Sequence, residues 1–368
     1  MLRSFALLSA FLAVAVAYDC NGTIYINAPS DLTQPTYFPS SWTEDQPIPL
    51  VTPEQGCAIT VNIPKGVFAT VTYYRDFGTT AGTYMLDFGT TAGTYMLYSN
   101  RKYRLIDDHD QNPYFYVQPY FIVNLSASSQ KNNAFSFKIV WSKLPEVTSK
   151  RVDIYKNQPP VVMTPNSDLT TFVGEVNSLL SLMAFSLKDP SQTYLLRQSA
   201  IFSGDSFDGE FIGTLEYVLN THNSITTYTN KRMSVYTFGL NQKIDYPLFM
   251  LQDWEQTRMV NSYQGFNCPS TGNCNVTLFG NYGSSYTVSE FNGSEFIKDF
   301  TSFPDTASIS VYENNISNTT CIATFTSSNF KTQLPLEVKS TLKFYVLNGY
   351  SNVDMVVSRD TSRAARLL

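Results

Sequence analysis

Residues 57–63 read CAITVNI, and residues 135–141 read FSFKIVW. In both stretches an apolar side chain recurs at every second position, and most positions between are small or polar. A β-strand turns successive side chains to opposite faces, so a period of two is typical of strands with one buried face. Cys57 lies on the apolar face of its stretch, which predicts that any disulfide it forms is buried.

The same alternation recurs along the rest of the chain. Phe121, Val123 and Leu125 share one face, which turns Asn124 to the opposite, solvent side. Further strands are predicted at residues 180–184, 215–218, 233–236, 309–311, 321–325 and 342–346. Clusters of Gly, Pro, Asn and Ser separate these runs, a pattern typical of sandwiches and not of βαβ units. Only residues 172–187 fit a helix as well, so the sequence predicts an all-β protein.

The composition is that of a folded protein with few charges. Hydrophobic residues make up 43% of the chain and charged residues only 15%, which disfavours disorder and long solvated helices. The 24 Tyr and 26 Phe favour strands. The formal net charge is −5, and losing the positive charge of Arg3 makes it −6. A mildly acidic chain without a basic stripe is a poor candidate for binding nucleic acid.

The first 17 residues have the features of a secretory signal peptide. Arg3 provides a positive start, residues 5–16 are an apolar run too short to span a bilayer, and residues 15–17 fit the small-x-small rule of signal peptidase. We therefore expect residues 1–17 to be removed and the mature, secreted chain to begin at Tyr18. A retained signal anchor is the alternative.

Six potential N-glycosylation sites fit an extracellular location. Each has Ser or Thr two positions after the asparagine and no Pro between them. The six are Asn21, Asn124, Asn275, Asn292, Asn315 and Asn318. The last two are too close together for both to be occupied reliably.

Five cysteines follow the predicted cleavage site, namely Cys20, Cys57, Cys268, Cys274 and Cys321. Their odd number leaves at least one free thiol in an oxidising compartment. The long gap after Cys57 suggests a Cys20–Cys57 bridge, which chain entropy would make worth about 3–4 kcal/mol of stability. In the C-terminal part, either Cys268 or Cys274 pairs with Cys321, or the first two pair with each other. A zinc site is disfavoured, because these cysteines have no companion His or second Cys pair.

Breaks in the strand pattern divide the mature chain. The predicted domains are residues 18–145, 155–255 and 260–350, followed by a flexible tail at residues 351–368. The tail is predicted because its last part, from Ser358, carries three arginines and little apolar character.

An exact duplication lies within the first predicted domain. Residues 76–86 recur unchanged as residues 87–97. Because eleven is odd, one strand running through the insert would exchange its inward and outward faces. The duplication therefore predicts an enlarged surface hairpin.

Residues that could carry catalysis are scarce. The two histidines, His109 and His222, lie in polar runs that indicate exposed loops, and no phosphate-binding loop, dinucleotide fingerprint or zinc-protease motif occurs. Two acidic clusters could hold calcium only with further oxygen ligands from elsewhere. They are Asp107, Asp108 and Asp110, and Asp205, Asp208 and Glu210. A solvated turn is the simpler interpretation of each, so we expect no catalytic residue, no metal and no cofactor.

Several segments together resemble the nematode CUB-like domain. Its start is similar to residues 37–42 (YFPSSW), to residues 55–57 (QGC) with the strand that follows, and to residues 66–69 (GVFA). Its end is similar to residues 113–115 (PYF), 121–127 (FIVNLSA) and 135–141 (FSFKIVW). The resemblance covers about residues 19–145, and the duplicated segment departs from it.

A fainter resemblance concerns the second predicted domain. Residues 201–204 (IFSG) followed by residues 211–215 (FIGTL) are similar to a strand–turn–strand segment of CUB domains. The full ligand set of calcium-binding CUB domains is not matched, so the resemblance does not imply a calcium site.

Together these resemblances imply tandem CUB-like, jelly-roll-like β-sandwich domains with a non-enzymatic binding or effector role outside the cell. Members of the family resemble secreted or membrane-associated proteins induced in the gut on infection or stress, which implies a role in innate defence. The expected partner is an extracellular protein, a glycan or a microbial-surface ligand, with peripheral membrane association as an open alternative. A structural coat protein is the rival hypothesis, favoured by the spare cysteine, and a hydrolase with an unrecognised carboxylate pair is the third.

Overall fold

A computed structural model of the chain describes residues 17–76, 93–98, 101–104, 112–127, 133–156, 158–176, 178–187, 192–220, 231–241, 243–244, 246–280 and 283–360. Almost all of its regular structure is β-strand, as the sequence predicts. The chain divides into two compact units, Met1–Pro145 and Glu146–Leu368, of which the first ends where the sequence places the end of the first domain. Within these ranges no helix combines the length and apolar character needed to cross a bilayer.

The strands of the first unit form two sheets. In chain order they are β1 (Ala17–Tyr18), β2 (Gly22–Asn27), β3 (Thr36–Phe38), β4 (Leu50–Val51), β5 (Gly56–Asn62), β6 (Val67–Asp76), β7 (Gly93–Tyr98), β8 (Arg101–Arg104), β9 (Tyr114–Val117), β10 (Tyr120–Ser126) and β11 (Ala134–Lys143). One sheet has the order β1-β4-β11-β6-β9, with β3 also paired to β11. The other has the order β2-β5-β10-β7-β8.

The core of the first unit is built from the apolar faces that the sequence predicts. Ile59 and Val61 of β5 are fully buried, as are Phe137 and Ile139 of β11. The ring of Tyr116 in β9 stacks on Phe121 in β10, with centroids 3.9 Å apart, and so joins the two sheets. The period of two is therefore confirmed in both stretches that open the sequence argument.

The duplicated segment lies largely outside the described residues. β6 ends at Asp76 and β7 begins at Gly93, and the two strands belong to different sheets. The predicted surface hairpin falls on residues 77–92, between them.

The described strands of the second unit form three sheets. Its strands are β12 (Ser149–Ile154), β13 (Val161–Met163), β14 (Leu169–Gly174), β15 (Leu180–Ser186), β16 (Ser199–Ser203), β17 (Phe211–Thr214), β18 (Arg232–Thr237), β19 (Phe249–Asp253), β20 (Val260–Phe266), β21 (Asn273–Leu278), β22 (Gly283–Glu290), β23 (Glu295–Ser302), β24 (Ser308–Glu313), β25 (Cys321–Thr326), β26 (Leu336–Val338), β27 (Leu342–Gly349) and β28 (Val353–Ser358). The helices are α1 (Tyr194–Gln198), α2 (Leu215–Asn220), α3 (Phe330–Gln333) and a 3₁₀ turn at Trp254–Gln256. The strand orders are β12-β14-β18-β16-β17, β13-β19-β15-β20-β22-β27-β24-β25 and β21-β28-β23-β26.

One eight-stranded sheet belongs to both of the predicted C-terminal domains. β15 pairs in parallel with β20, through Phe185 and Gly265, and this pairing joins the strands of residues 155–255 to those of residues 260–350. Leu182 and Leu251 of this sheet pack in one core with the five-stranded sheet, whereas Tyr345 and Leu347 pack in another core with the four-stranded sheet. The shared sheet therefore spans both predicted ranges, and residues 146–368 form one compact unit.

Two further expectations are corrected by packing. Residues 215–218, predicted as a strand, begin helix α2, because Leu215 and Val218 are three positions apart and both enter the core. The predicted tail from residue 351 begins with β28, whose Val353, Met355 and Val357 are completely buried. This strand lies between β21 and β23, so it is an interior strand of its sheet.

Candidate functional site

The cysteines form two disulfides. Cys20 pairs with Cys57 across 37 residues, and both side chains are buried. Cys268 pairs with Cys274 across 6 residues, which selects one of the alternatives that the sequence leaves open. Cys321 lies outside both disulfides and is exposed on β25, an edge strand of the eight-stranded sheet.

The sequon asparagines are accessible. Asn124 is half-buried on β10, opposite the buried Phe121, Val123 and Leu125, as its strand phase predicts. The other five are exposed, namely Asn21, Asn275, Asn292, Asn315 and Asn318.

The acidic cluster of Asp205, Asp208 and Glu210 lies within the described residues and does not form a metal-binding group. Asp205 forms an ion pair with Arg232, with an N–O distance of 2.8 Å. Within the described ranges no three His, Cys, Asp or Glu side chains come close enough to hold a metal. The other cluster, residues 107–110 with His109, lies outside those ranges, as does His222.

A pocket of about 350 Å³ opens on one face of the eight-stranded sheet. Its floor is aromatic, with Tyr286 from β22 and the buried Phe344 from β27. The remaining lining residues come from the 3₁₀ turn, from β19 and from two loops, and they are Gln158, Pro160, Gln252, Gln256, Asn315, Ile316 and Ser317. The volume lies at the lower end of the range of small-molecule sites.

Hydrogen bonds within the described structure hold the pocket walls. The buried Gln252 donates from Nε2 to the Tyr263 hydroxyl at 3.0 Å, and the Tyr263 ring meets Tyr286 edge-on at 5.8 Å between centroids. Gln256 donates from Nε2 to the backbone carbonyl of Gln158 at 3.2 Å, which holds one rim loop against the 3₁₀ turn. The floor and this rim are therefore preorganised.

The pocket is electrically neutral among its described lining residues, which are amides, a hydroxyl, a phenol and apolar groups. Burial raises the pKa of the Tyr286 phenol, and the neighbouring Tyr312 raises it further, so Tyr286 stays protonated at physiological pH. Amides and hydroxyls both donate and accept hydrogen bonds, and an aromatic floor offers apolar area. This combination suits a neutral ligand with many hydroxyl or amide groups, and the described lining offers a charged ligand no counter-charge.

Sequence reasoning missed this pocket for a physical reason. Gln158 and Gln252 belong to the predicted second domain, whereas Tyr286, Asn315 and Phe344 belong to the predicted third domain. Only the shared sheet brings the two sets together. The one sequence signal among these residues is the sequon at Asn315.

A second cluster, made of buried charges, lies at the other face of the same sheet. Glu295 and Arg359 form an ion pair at 2.8 Å, with side chains 0% and 7% exposed. Glu295 also accepts hydrogen bonds from Ser289 at 2.7 Å and Tyr345 at 3.2 Å. Burial lowers the pKa of the Lys343 ammonium, which donates to a backbone carbonyl at 2.8 Å.

This cluster also anchors the C-terminal disulfide. Arg359 donates to the backbone carbonyl of Cys268, and its guanidinium lies over the Phe291 ring at 4.1 Å from the centroid. The residue was expected in a solvated tail, but its charge is buried and paired. The cluster has its hydrogen bonds within itself, so its effect is to fix the end of β28.

Family models match two parts of the chain. Residues 15–145 match the model of the CUB-like domain, and residues 255–360 match a domain of unknown function, DUF7591. No curated protein matches the chain at a significant level.

Solved structures with some likeness contain CUB domains or are extracellular. The chain is similar to the CUB1-EGF-CUB2 domains of rat MASP-1, with 8% identity, 91% of this chain and 99% of that chain covered, and a TM-score of 0.23. It is also similar to the CUB1-EGF-CUB2 domain of human MASP-1/3, with 6% identity, 84% of this chain and 94% of that chain covered, and a TM-score of 0.20. Its similarity to the full extracellular region of zebrafish Gpr126/Adgrg6 has 8% identity and a TM-score of 0.23. The match covers 95% of this chain and 54% of that region, so the chain spans about half of its length. TM-scores this low carry no argument, and the similarity of residues 15–145 to CUB-like domains rests on the family match.

Proposed function

We propose that this protein is secreted and N-glycosylated and that it binds neutral glycans outside the cell, as a non-enzymatic factor of innate defence. The observation that carries the proposal is the pocket on the eight-stranded sheet, with amide walls and an aromatic floor. Two disulfides and a CUB-like domain are typical of extracellular proteins and support the location. The defence role is supported by the resemblance to nematode CUB-like proteins.

The binding step needs no reacting group. A sugar ring presents hydroxyls at its edge and C–H groups on its faces, so the edge can bond to the amides of Gln158 and Gln256 while a face rests on Tyr286. Hydroxyl recognition of this kind tolerates bridging water. Turnover is not part of the proposal, and a mass spectrum of bound glycans before and after incubation should be unchanged.

The test is a glycan array and a pull-down on bacterial cell walls with the full secreted chain. Tyr286→Ala removes the floor ring, and we expect binding to fall about tenfold or more, or 1.4 kcal/mol at tenfold. Tyr350→Ala is the matched control, because Tyr350 is 69% exposed and does not line the pocket. Gln256→Ala, at a half-buried rim residue, is the second test variant and is used if Tyr286→Ala folds poorly. Equal binding by all folded variants would refute the pocket as the site.

One observation favours the rival role as a coat component. Cys321 is exposed and outside both disulfides, so it is available for a bridge between chains. Disulfide-linked oligomers on a non-reducing gel that disappear in Cys321→Ser would favour this role.

A further inference from the structure

Three consecutive residues of the pocket rim are themselves a glycosylation sequon. Asn315, Ile316 and Ser317 all line the pocket, whereas Asn318, the acceptor of the next sequon, does not. A sugar attached to Asn315 therefore starts at the mouth of the pocket. The inference drawn from this position rests on the proposed function, because it concerns access to the same site.

The rim loop holds Asn315 in place. Asn314 has a φ of 68°, in the left-handed region that asparagine tolerates, and Asn315 donates from its backbone N–H to Glu313 at 2.9 Å. Thr320 closes the loop, because its hydroxyl donates to the carbonyl of Asn315 at 2.6 Å and accepts from the backbone N–H of Ser317 at 3.1 Å. The side chain of Asn315 is exposed, so nothing in the described loop prevents a sugar on its amide.

The first sugar of an N-linked glycan has the chemistry that the pocket selects. N-acetylglucosamine is neutral and carries hydroxyls and one acetamide, which complement Gln158, Gln256 and the ring of Tyr286. Attachment through a short flexible link gives the sugar an effective concentration in the mM range, so weak affinity is enough for it to occupy the pocket. A free glycan must then displace it.

We propose that a glycan on Asn315 occupies the pocket of its own chain and closes it to other glycans, whereas a glycan on Asn318 leaves the pocket open. The covalent step is ordinary N-glycosylation. The Asn315 amide nitrogen forms a bond to C1 of the sugar and loses a proton, and a lipid pyrophosphate leaves from C1. Because the two acceptors are three residues apart and compete, the choice between them sets the fraction of molecules able to bind.

Two variants separate the states in the full secreted chain. Ser317→Ala removes the first sequon but retains the Asn315 side chain, and Asn318→Gln directs the glycan to Asn315. With triacetylchitotriose as the probe, we expect Ser317→Ala to bind about tenfold or more tightly than Asn318→Gln, with wild type between them. Site occupancy is measured by mass spectrometry of glycopeptides.

A second readout does not depend on any added ligand. In the native Asn318→Gln variant, a glycoamidase should release the Asn315 glycan at least about tenfold more slowly than the glycan of the exposed Asn292. After denaturation the two glycans should be released at equal rates. An unoccupied Asn315, or equal native release rates, overturns the proposal. Slow release with no glycan binding by any variant supports occupancy of the pocket by its own sugar and refutes the proposed function. Equal binding by wild type, Ser317→Ala and Asn318→Gln, together with weaker binding by Tyr286→Ala, supports the proposed function and refutes closure.

Discussion

The cores of the two compact units are built with different chemistry. Among the described residues of the first unit no charged side chain is buried: the buried polar side chains include Asn133 and Ser136, and the hydroxyls of Tyr73 and Tyr116 bond to each other at 3.0 Å. Its ion pair between Lys138 and Glu44, at 2.8 Å, stands at the surface. In the second unit Glu295 and Arg359 form a buried ion pair next to a buried Lys343.

This difference indicates which substitutions should lower the stability of each unit most. A neutral buried phenol that loses its hydrogen-bond partner costs about 1–3 kcal/mol. A buried charge that loses its partner keeps its full desolvation cost, so removing one member of the pair is far more damaging than the pair is stabilising. The second unit should therefore depend on a few charged residues, and the first on its apolar faces and its disulfide.

The largest expected effect follows from Glu295→Gln. This change leaves the buried Arg359 without a counter-charge, and we expect the free energy of unfolding to fall by about 3–5 kcal/mol. Denaturant titration of the secreted protein measures it.

The matched control is Glu337→Gln in the same sheet. Glu337 lies on β26, one register position from Glu295, and its carboxylate is 3.5 Å from the ammonium of Lys339, with both side chains well exposed. A surface pair of this kind is worth less than about 1 kcal/mol. Equal losses in both variants would mean that burial does not set the cost.

The next effect compares the two disulfides. Replacing both Cys20 and Cys57 by Ala opens a loop of 37 residues and should cost about 3–4 kcal/mol, whereas replacing Cys268 and Cys274 opens a loop of 6 and should cost about 2 kcal/mol. Both pairs are compared in a Cys321→Ser background, because the exposed thiol of Cys321 can exchange with the disulfide that remains. Melting temperature and secreted yield are the measurements. A larger loss for the short loop would show that its anchor through Arg359 outweighs chain entropy.

The sequence predicts what depends on neighbours along the chain. Alternation alone places Ile59 inside and Asn124 outside, because both follow from the period of a single strand. It fails for residues 215–218, since a run of four residues fits a strand and a helical turn equally well. The buried residues at positions 215 and 218 decide for the helix.

What the sequence does not predict depends on pairings across long distances. The parallel contact of Phe185 with Gly265 has no local signal, yet it merges two predicted domains and creates the pocket. Arg359 looks like part of a solvated tail until Glu295 is found beside it in space. Short strands and paired charges cannot be assigned their partners from one sequence.

The smallest expected effect concerns alkaline pH and tests the phenols of the first core. Burial is the main cause of the raised pKa of Tyr73. At a pH at which the unfolded state, ionising near pH 10, has lost the phenol proton, the folded state still keeps it. The folded state then binds more protons, so the contribution of Tyr73 to stability is complete below about pH 10 and declines by about 1.4 kcal/mol per pH unit above it. Tyr73→Phe should remove this part of the slope between about pH 10 and 11.5, measured as the denaturant midpoint against pH. The exposed Tyr25→Phe, 68% accessible on β2, should leave the slope unchanged. An unchanged slope in Tyr73→Phe would mean that this phenol ionises without unfolding, and that the first core admits charge as readily as the second.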